Sequence, residues 1–233
     1  MLFDMEKLDA QSGYKLLTAT VTPRPIAWIT TLSKQGVINA APYSFFNVMG
    51  HEPPTVAVGL LAGEGRFKDT ATNILATGEF VVNLVSESNA EAMNVTCIDA
   101  PPGVSELNLA DLASSPSDAV RPPRIASSPV SFECRTLTSL VTGPHQTIVI
   151  GRVLRVHIAD AAVEDAQRCH IDTSSLRLIA RMHGGGWYAR RAETFQMERP
   201  KWSEWVQDQE KAKVQEKLQE KSRERSEPGV AQV

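Results

Sequence analysis

The chain has 233 residues, of which 42% are hydrophobic, and a formal net charge of −3. That length supports one or two domains with a real core, and the near-neutral balance argues against a dedicated nucleic-acid binder, which carries a basic stripe. No apolar run approaches the roughly 20 residues needed to span a bilayer, and the acidic opening Met1-Leu2-Phe3-Asp4-Met5-Glu6 lacks the basic-then-apolar order of a signal peptide.

Strand signals crowd residues 14–100. Ile26-Ala27-Trp28-Ile29-Thr30-Thr31-Leu32 is rich in β-branched residues, with Pro23-Arg24-Pro25 before it and Lys34-Gln35-Gly36 after it, so a strand and a turn are predicted. Val37–Ala41 resumes as a strand and completes a hairpin. Thr55–Leu60, opened by Pro53-Pro54, is the next strand. A helix over about Thr70–Thr77 follows, with Asp69 as its N-cap and Gly78 just past its end. Phe80–Val85 reads as a strand and Asn89–Val95 as a second helix. Residues 99–129 are broken by Pro101-Pro102-Gly103, Ser114–Ser117 and Pro122-Pro123 and read as a long loop, a feature that is often functional. Strands resume at Val130–Leu137 and Thr147–Ile158, with one more at Ser175–Met182. His183-Gly184-Gly185-Gly186-Trp187-Tyr188 reads as a loop.

The composition changes at Lys201. Between Lys201 and Glu227 there are seven basic and seven acidic residues. Trp202, Trp205, Val206, Val214 and Leu218 leave only a thin apolar stripe. Pairs such as Asp208–Lys211 and Glu220–Arg223 support a solvated helix. This segment reads either as a surface helix or as a helix that clasps a partner subunit. The expected organisation is therefore one domain over residues 1–200 and a charged C-terminal helix or tail over 201–233. The three cysteines, Cys97, Cys134 and Cys169, are widely spaced and odd in number, which suggests free thiols and a reducing, cytoplasmic setting.

Three segments carry candidate chemistry. In Thr22–Thr31, Trp28 and Thr30 share one face of a strand by the period of two, and Arg24, held between prolines, offers a bidentate head to a phosphate or carboxylate. The alternative for Arg24 is a surface salt bridge. In Asn39–Asn47, the polar Ser44 and Asn47 sit beside Phe45 and Phe46, which suits a flat heterocycle as well as ordinary core packing. At Lys68-Asp69-Thr70 a helix start presents amides and a partial positive charge, and Lys68 and Thr70 add a full charge and a hydroxyl, all suited to a phosphate. An ordinary capped helix with a surface lysine would show the same residues. His51, His145, His157, His170 and His183 have no metal-ligand spacing with the cysteines, so no metal is expected. Glycines 184–186 lack the strand–turn–helix context of a dinucleotide fingerprint.

In this order and spacing, the three segments resemble the flavin reductase-like family of FMN-binding split barrels, closest to its flavoredoxin-like branch. The resemblance runs from about Thr18 to Tyr188. It includes Phe132-Glu133-Cys134 and Ile150-Gly151-Arg152-Val153 and leaves the charged tail outside. It implies a mainly β, Greek-key split barrel with a few helices, forming a homodimer with FMN near the interface. Carried onto this chain, it places Ser44, Phe45 and Asn47 along the isoalloxazine ring and Thr30, Lys68 and Thr70 near the phosphate end, with Arg24 and Trp28 as further cofactor-binding candidates. His51-Glu52 departs from the small polar residue expected before the double proline. His183 and Tyr188 are candidates for the wall of the nicotinamide or substrate side, or alternatively belong to a structural turn. The expected activity is hydride transfer from NAD(P)H to flavin, with a small molecule, a flavin or a separate monooxygenase as acceptor. The alternatives are an electron-transfer flavoprotein that does not use nicotinamide directly and a non-enzymatic ligand-binding barrel.

Overall fold

The computed structural model describes residues 1–61, 66–101, 103–144, 146–190 and 193–216, apart from 208, 212 and 214. The chain divides into two units, Met1–Ala192 and Glu193–Val233. In the second, the described residues 202–207, 209–211, 213 and 215–216 are helical, and Lys201 pairs with Glu204 at 3.0 Å. The expected pairs Asp208–Lys211 and Glu220–Arg223, and the apolar Val214 and Leu218, involve positions outside the described residues.

The first unit opens with a helix, Ala10–Thr20 (α1), where the sequence reading placed no element. Its signal is an N-cap: the Asp9 carboxylate accepts the Ser12 amide at 2.9 Å. Seven main strands follow: Ala27–Leu32 (β1), Ile38–Tyr43 (β2), Phe46–His51 (β3), Pro54–Leu60 (β4), Glu79–Leu84 (β5), Val130–Gly143 (β6) and Gln146–Ile158 (β7). Between β4 and β5 lies the helix Asp69–Thr77 (α2), closed by Gly78 in the left-handed region at φ +71°. Asp69 does not cap it. Lys68 is the N-cap, with extended backbone and no side-chain cap bond, and Asp69 is the first helical residue. The second predicted helix begins as a 3₁₀ turn, Glu87–Asn89, and continues as Ala90–Val95 (α3).

The strands form one antiparallel sheet in the order β2-β1-β5-β6-β7-β4-β3. Its two edge strands, β2 and β3, are consecutive in the chain and are joined by Ser44 and Phe45 alone. Laid flat, seven strands would hold their edges about 29 Å apart at roughly 4.8 Å per spacing. Three Cα–Cα steps of about 3.8 Å reach only about 11 Å. The sheet must therefore curl until its edges meet. The Phe45 carbonyl accepts the Gly59 amide at 2.7 Å, extending the β3–β4 pairing into this two-residue join. The predicted mainly β split barrel is thus the fold.

Strand periodicity separates the two main core clusters, beside a smaller third around Val130, Ala162 and Leu176. Ala27, Ile29, Val56, Val58, Phe80, Val82 and Val149 fill the barrel, and Ala71 and Ile74 of α2 pack into the same cluster. On the other face of β1, Ile26 and Trp28 pack with Val85, Met93, Leu107, Ile125 and Ile179. The 99–129 stretch supplies part of this second cluster. It contains a short helix, Glu106–Leu109 (α4), and a two-stranded ribbon, Ser114–Ser115 with Arg124–Ile125. The buried Glu133 carboxylate pins it by accepting the amides of Asp118 and Ala119. The strand predicted at 175–182 is reduced to Ala180–Arg181, paired with Arg24–Pro25 and Tyr188–Ala189. Among the described residues, no helix is long and apolar enough to cross a membrane.

Candidate functional site

The seam between β2 and β3 borders a cleft of about 310 Å³. β2 and the seam contribute Asn39, Ala41, Pro42, Tyr43, Ser44 and Phe45, with Gly59 beside them. Gly59 has a spatial reason: a Cβ there would lie 3.2 Å from the Phe45 Cβ. The start of α2 contributes Lys68, Asp69 and Thr70, with Arg66 before it. The turn after α3 contributes Thr96 to Ala100, α4 contributes Glu106, and α1 contributes Tyr14. The Tyr14 ring stands 6.0 Å from that of Phe45, so the two form an aromatic margin.

The floor is a polar network. Asn39 Nδ2 donates to Thr70 Oγ1 at 2.7 Å, and the Tyr43 phenol is also hydrogen-bonded to Thr70. Burial pushes the Tyr43 hydroxyl up to about 12 against the opposing effect of that bond, so it remains a neutral phenol. Glu106 is 6% exposed and accepts the Ala40 amide at 2.9 Å. Burial raises its carboxyl above the ordinary value more than that amide lowers it, and Asp69 adds to the rise. Burial likewise raises the Cys97 thiol, which disfavours the thiolate. At the α2 end, Lys68 Nζ lies 3.7 Å from Asp99 Oδ1.

These residues fit a phosphorylated, planar heterocycle. The first amides of α2 carry no side-chain cap, and a lysine and a threonine hydroxyl stand beside them. Two aromatic rings and the Ser44 hydroxyl occupy the other flank. Asp69 and Asp99 are acidic groups at this cationic end, and an incoming phosphate must compete with Asp99 for Lys68.

Of the residues singled out by sequence, Ser44, Phe45, Lys68 and Thr70 line this cleft together. Arg24 lies behind it, 6% exposed, with Nε 3.3 Å from Ser44 Oγ. Trp28 and Thr30 do share a strand face, but it is the face turned into the second core, and both are fully buried. Trp28 Nε1 donates to Thr96 Oγ1 at 2.9 Å, and Thr30 Oγ1 donates to the Pro123 carbonyl. Trp28 thus reaches the cleft only by fixing Thr96. Asn47 is exposed on β3, its Oδ1 accepting the Val48 amide. His183 and Tyr188 belong to a tight hairpin closed by the Met182 amide and the Trp187 carbonyl, with Gly185 and Gly186 at positive φ. Tyr188 packs against the second core with the Arg181 guanidinium 4.8 Å above its ring, and His183 faces Trp187. Neither lines the cleft. The sequence reading missed Tyr14, Asn39, Tyr43, the 96–100 turn and Glu106.

Residues 19–175 match the profile described as the flavin reductase like domain. An uncharacterized protein of Deinococcus radiodurans is 41% identical over 209 residues, covering 87% of this chain and 91% of that one. YwrF of Bacillus subtilis, also uncharacterized, is 40% identical over 204 residues, covering 85% of this chain and 98% of its own. Among solved structures, nitrilotriacetate monooxygenase component B from Bacillus cereus superposes with a TM-score of 0.80 at 34% identity, covering 84% of this chain and 98% of that one. The 2-nitrobenzoate 2-nitroreductase NbaA of Pseudomonas fluorescens gives 0.79 at 30% identity, covering 87% and 98%. Flavoredoxin of Desulfovibrio vulgaris (Miyazaki F), at 16% identity and a TM-score of 0.67 over 76% of this chain and 91% of its own, shares the fold.

Proposed function

Since this chain belongs to the flavin reductase-like family, we propose that it is an FMN-dependent oxidoreductase that takes hydride from NADH or NADPH. The observation that carries this reading is the cleft at the barrel seam, which joins an aromatic margin and a serine hydroxyl to an uncapped, cationic helix start. Flavin, when bound, supplies the capacity to accept a hydride and pass its electrons on. The protein supplies the rest. Lys68, Thr70 and the first amides of α2 hold the phosphate. Tyr14 and Phe45 flank the ring, and Ser44 donates a hydrogen bond to its edge.

No separate dinucleotide-binding domain is recognisable in the sequence, so a nicotinamide would have to enter the same cleft. It must then leave before an acceptor takes its place, which makes the kinetics ping-pong. The proteins named as a monooxygenase component and a nitroreductase support an oxidoreductase role. The acceptor proposed here is a small molecule or a flavin handed to a separate monooxygenase. We further place the protein in the cytoplasm as a homodimer.

The test is the absorbance spectrum of the purified protein followed by stopped-flow reduction with NADH and with NADPH. Bleaching of bound FMN that saturates with either nucleotide supports the reading. Bound FMN that dithionite reduces but neither nucleotide does would identify an electron-transfer flavoprotein instead. A colourless protein that takes up no FMN would leave only a ligand-binding barrel.

A further inference from the structure

Arg24 is a buried cation without a carboxylate partner among the described residues. Its Nη1 donates to the carbonyls of Thr18 (2.8 Å) and Val21 (2.6 Å), its Nη2 to the carbonyl of Met182 (2.7 Å) and its Nε to Ser44 Oγ (3.3 Å). Three neutral carbonyls and a hydroxyl satisfy its donors but do not neutralise it. A buried, unpaired charge is costly to keep, so its retention beside the cleft calls for a reason.

The chemistry of the fourth bond supplies one. A guanidinium has donors only. In the Arg24–Ser44 contact the serine oxygen must therefore be the acceptor, and the serine proton has to point elsewhere. Among the described residues, no protein acceptor takes that proton, and Ser44 lines the cleft. Asparagine or glutamine at position 24 could present an acceptor to Ser44 and reverse the bond. Arginine cannot.

We propose that Arg24 is a positioning residue that acts through Ser44, occupying one lone pair of the serine oxygen and turning its proton toward the cleft, so that Ser44 donates a hydrogen bond to the ring edge of a bound flavin. This rests on the functional reading above and deepens it. A fixed donor interacts more strongly with the electron-rich reduced ring than with the oxidised one. Arg24 therefore raises the tendency of bound flavin to accept electrons without touching it.

The experiment uses the full chain loaded with FMN and measures the FMN dissociation constant, the two-electron midpoint potential and the melting temperature. The variants are Ser44→Ala, Arg24→Gln and the double variant. Ser44→Ala is expected to lose about tenfold of the preference for reduced over oxidised FMN, a fall of about 30 mV for a two-electron couple. Arg24→Gln offers Ser44 an acceptor that can take its proton away from the cleft and should fall in the same direction. The double variant should fall no further than Ser44→Ala. A purely structural role for Arg24 would lower the melting temperature and leave the potential alone. An unchanged potential in Ser44→Ala overturns the proposal whether or not the Arg24 variants fold, as do additive shifts in the double variant. Failure of the wild-type protein to bind FMN would instead remove the functional reading, and this inference with it.

Discussion

The imidazole Nε2 of His157 lies 2.6 Å from Oε1 of Glu133, a carboxylate with no solvent exposure. The same carboxylate accepts the amides of Asp118 at 2.8 Å and Ala119 at 2.5 Å, so one side chain on β6 ties the 99–129 stretch to β7. Burial alone would raise this carboxyl. The Asp118 amide, His157 and the Ala119 amide outweigh it, and the group sits below its ordinary range. A depressed carboxyl contributes stability above its unfolded value, about 4.3, and loses that contribution as the pH falls through the folded value. Glu133→Gln is expected to cost roughly 1.5–3 kcal/mol at pH 7. In urea titrations the gap to wild type should shrink toward pH 3; a gap independent of pH would contradict this account.

Glu106 carries the opposite sign. Its carboxyl is raised chiefly by burial, so the folded state prefers it protonated. Its contribution to stability is most favourable below the unfolded value and is lost as the pH rises through the higher folded one. Glu106→Gln keeps an oxygen for the Ala40 amide and removes the charge. The variant should melt higher than wild type at pH 7–8 and show no advantage near pH 4. A lower melting temperature at pH 8 would mean that the carboxylate has an unrecognised favourable partner.

At the cationic end of the cleft, Lys68 and Asp99 make opposite predictions. A charge-assisted contact to phosphate is worth roughly 1.5–3 kcal/mol, and Lys68 is half-exposed, which favours the lower figure. Lys68→Ala should therefore weaken FMN about tenfold and leave riboflavin, which has no phosphate, nearly unaffected. Asp99→Asn frees Lys68 and should tighten FMN. Isothermal titration with both ligands decides the matter: equal losses for FMN and riboflavin in Lys68→Ala would remove the lysine from the phosphate site.

Gly151 tests the packing of the barrel. It sits at a register shift in β7, where a Cβ would come 2.5 Å from Cζ and 3.0 Å from Cε1 of Phe80. The Phe80 ring is fully buried and cannot swing aside into solvent. Gly151→Ala should destabilise the fold by about 1–3 kcal/mol through overpacking. Recovery in the double variant Gly151→Ala/Phe80→Leu, measured by chemical denaturation, would locate the strain at that contact.

Local chemistry was legible where one residue type answers one backbone demand. Gly78 marked the end of α2 because glycine adopts positive φ without strain. Asp69 was read as a cap on composition alone, but capping depends on which residue holds the extended conformation, and here that is Lys68. Periodicity put Trp28 and Thr30 on one face; it could not say that this face meets a second core, because that depends on which way the whole sheet curls. Asn39, Ala41 and Tyr43 follow the same period of two, and all line the cleft, so this part was readable once β2 was recognised. Glu106 and the 96–100 turn were not. They reach the cleft because Met93 and Leu107 pack into the second core, a non-local event without a local signature.

The two-residue join at Ser44–Phe45 has a further consequence. β2 and β3 each have only one ladder neighbour, so the line between them is where the barrel parts with the fewest backbone bonds broken. A ligand lodged against this line adds its binding free energy to the cost of local opening, about 2.7 kcal/mol at a hundredfold excess over its dissociation constant. Amide hydrogen exchange in Ile38–Tyr43 and Phe46–His51 should then slow when the cleft is filled, while the β6–β7 hairpin, already paired along its length, changes little. Cofactor occupancy and closure of the barrel become a single equilibrium, and the cellular supply of the ligand sets how often the seam breathes.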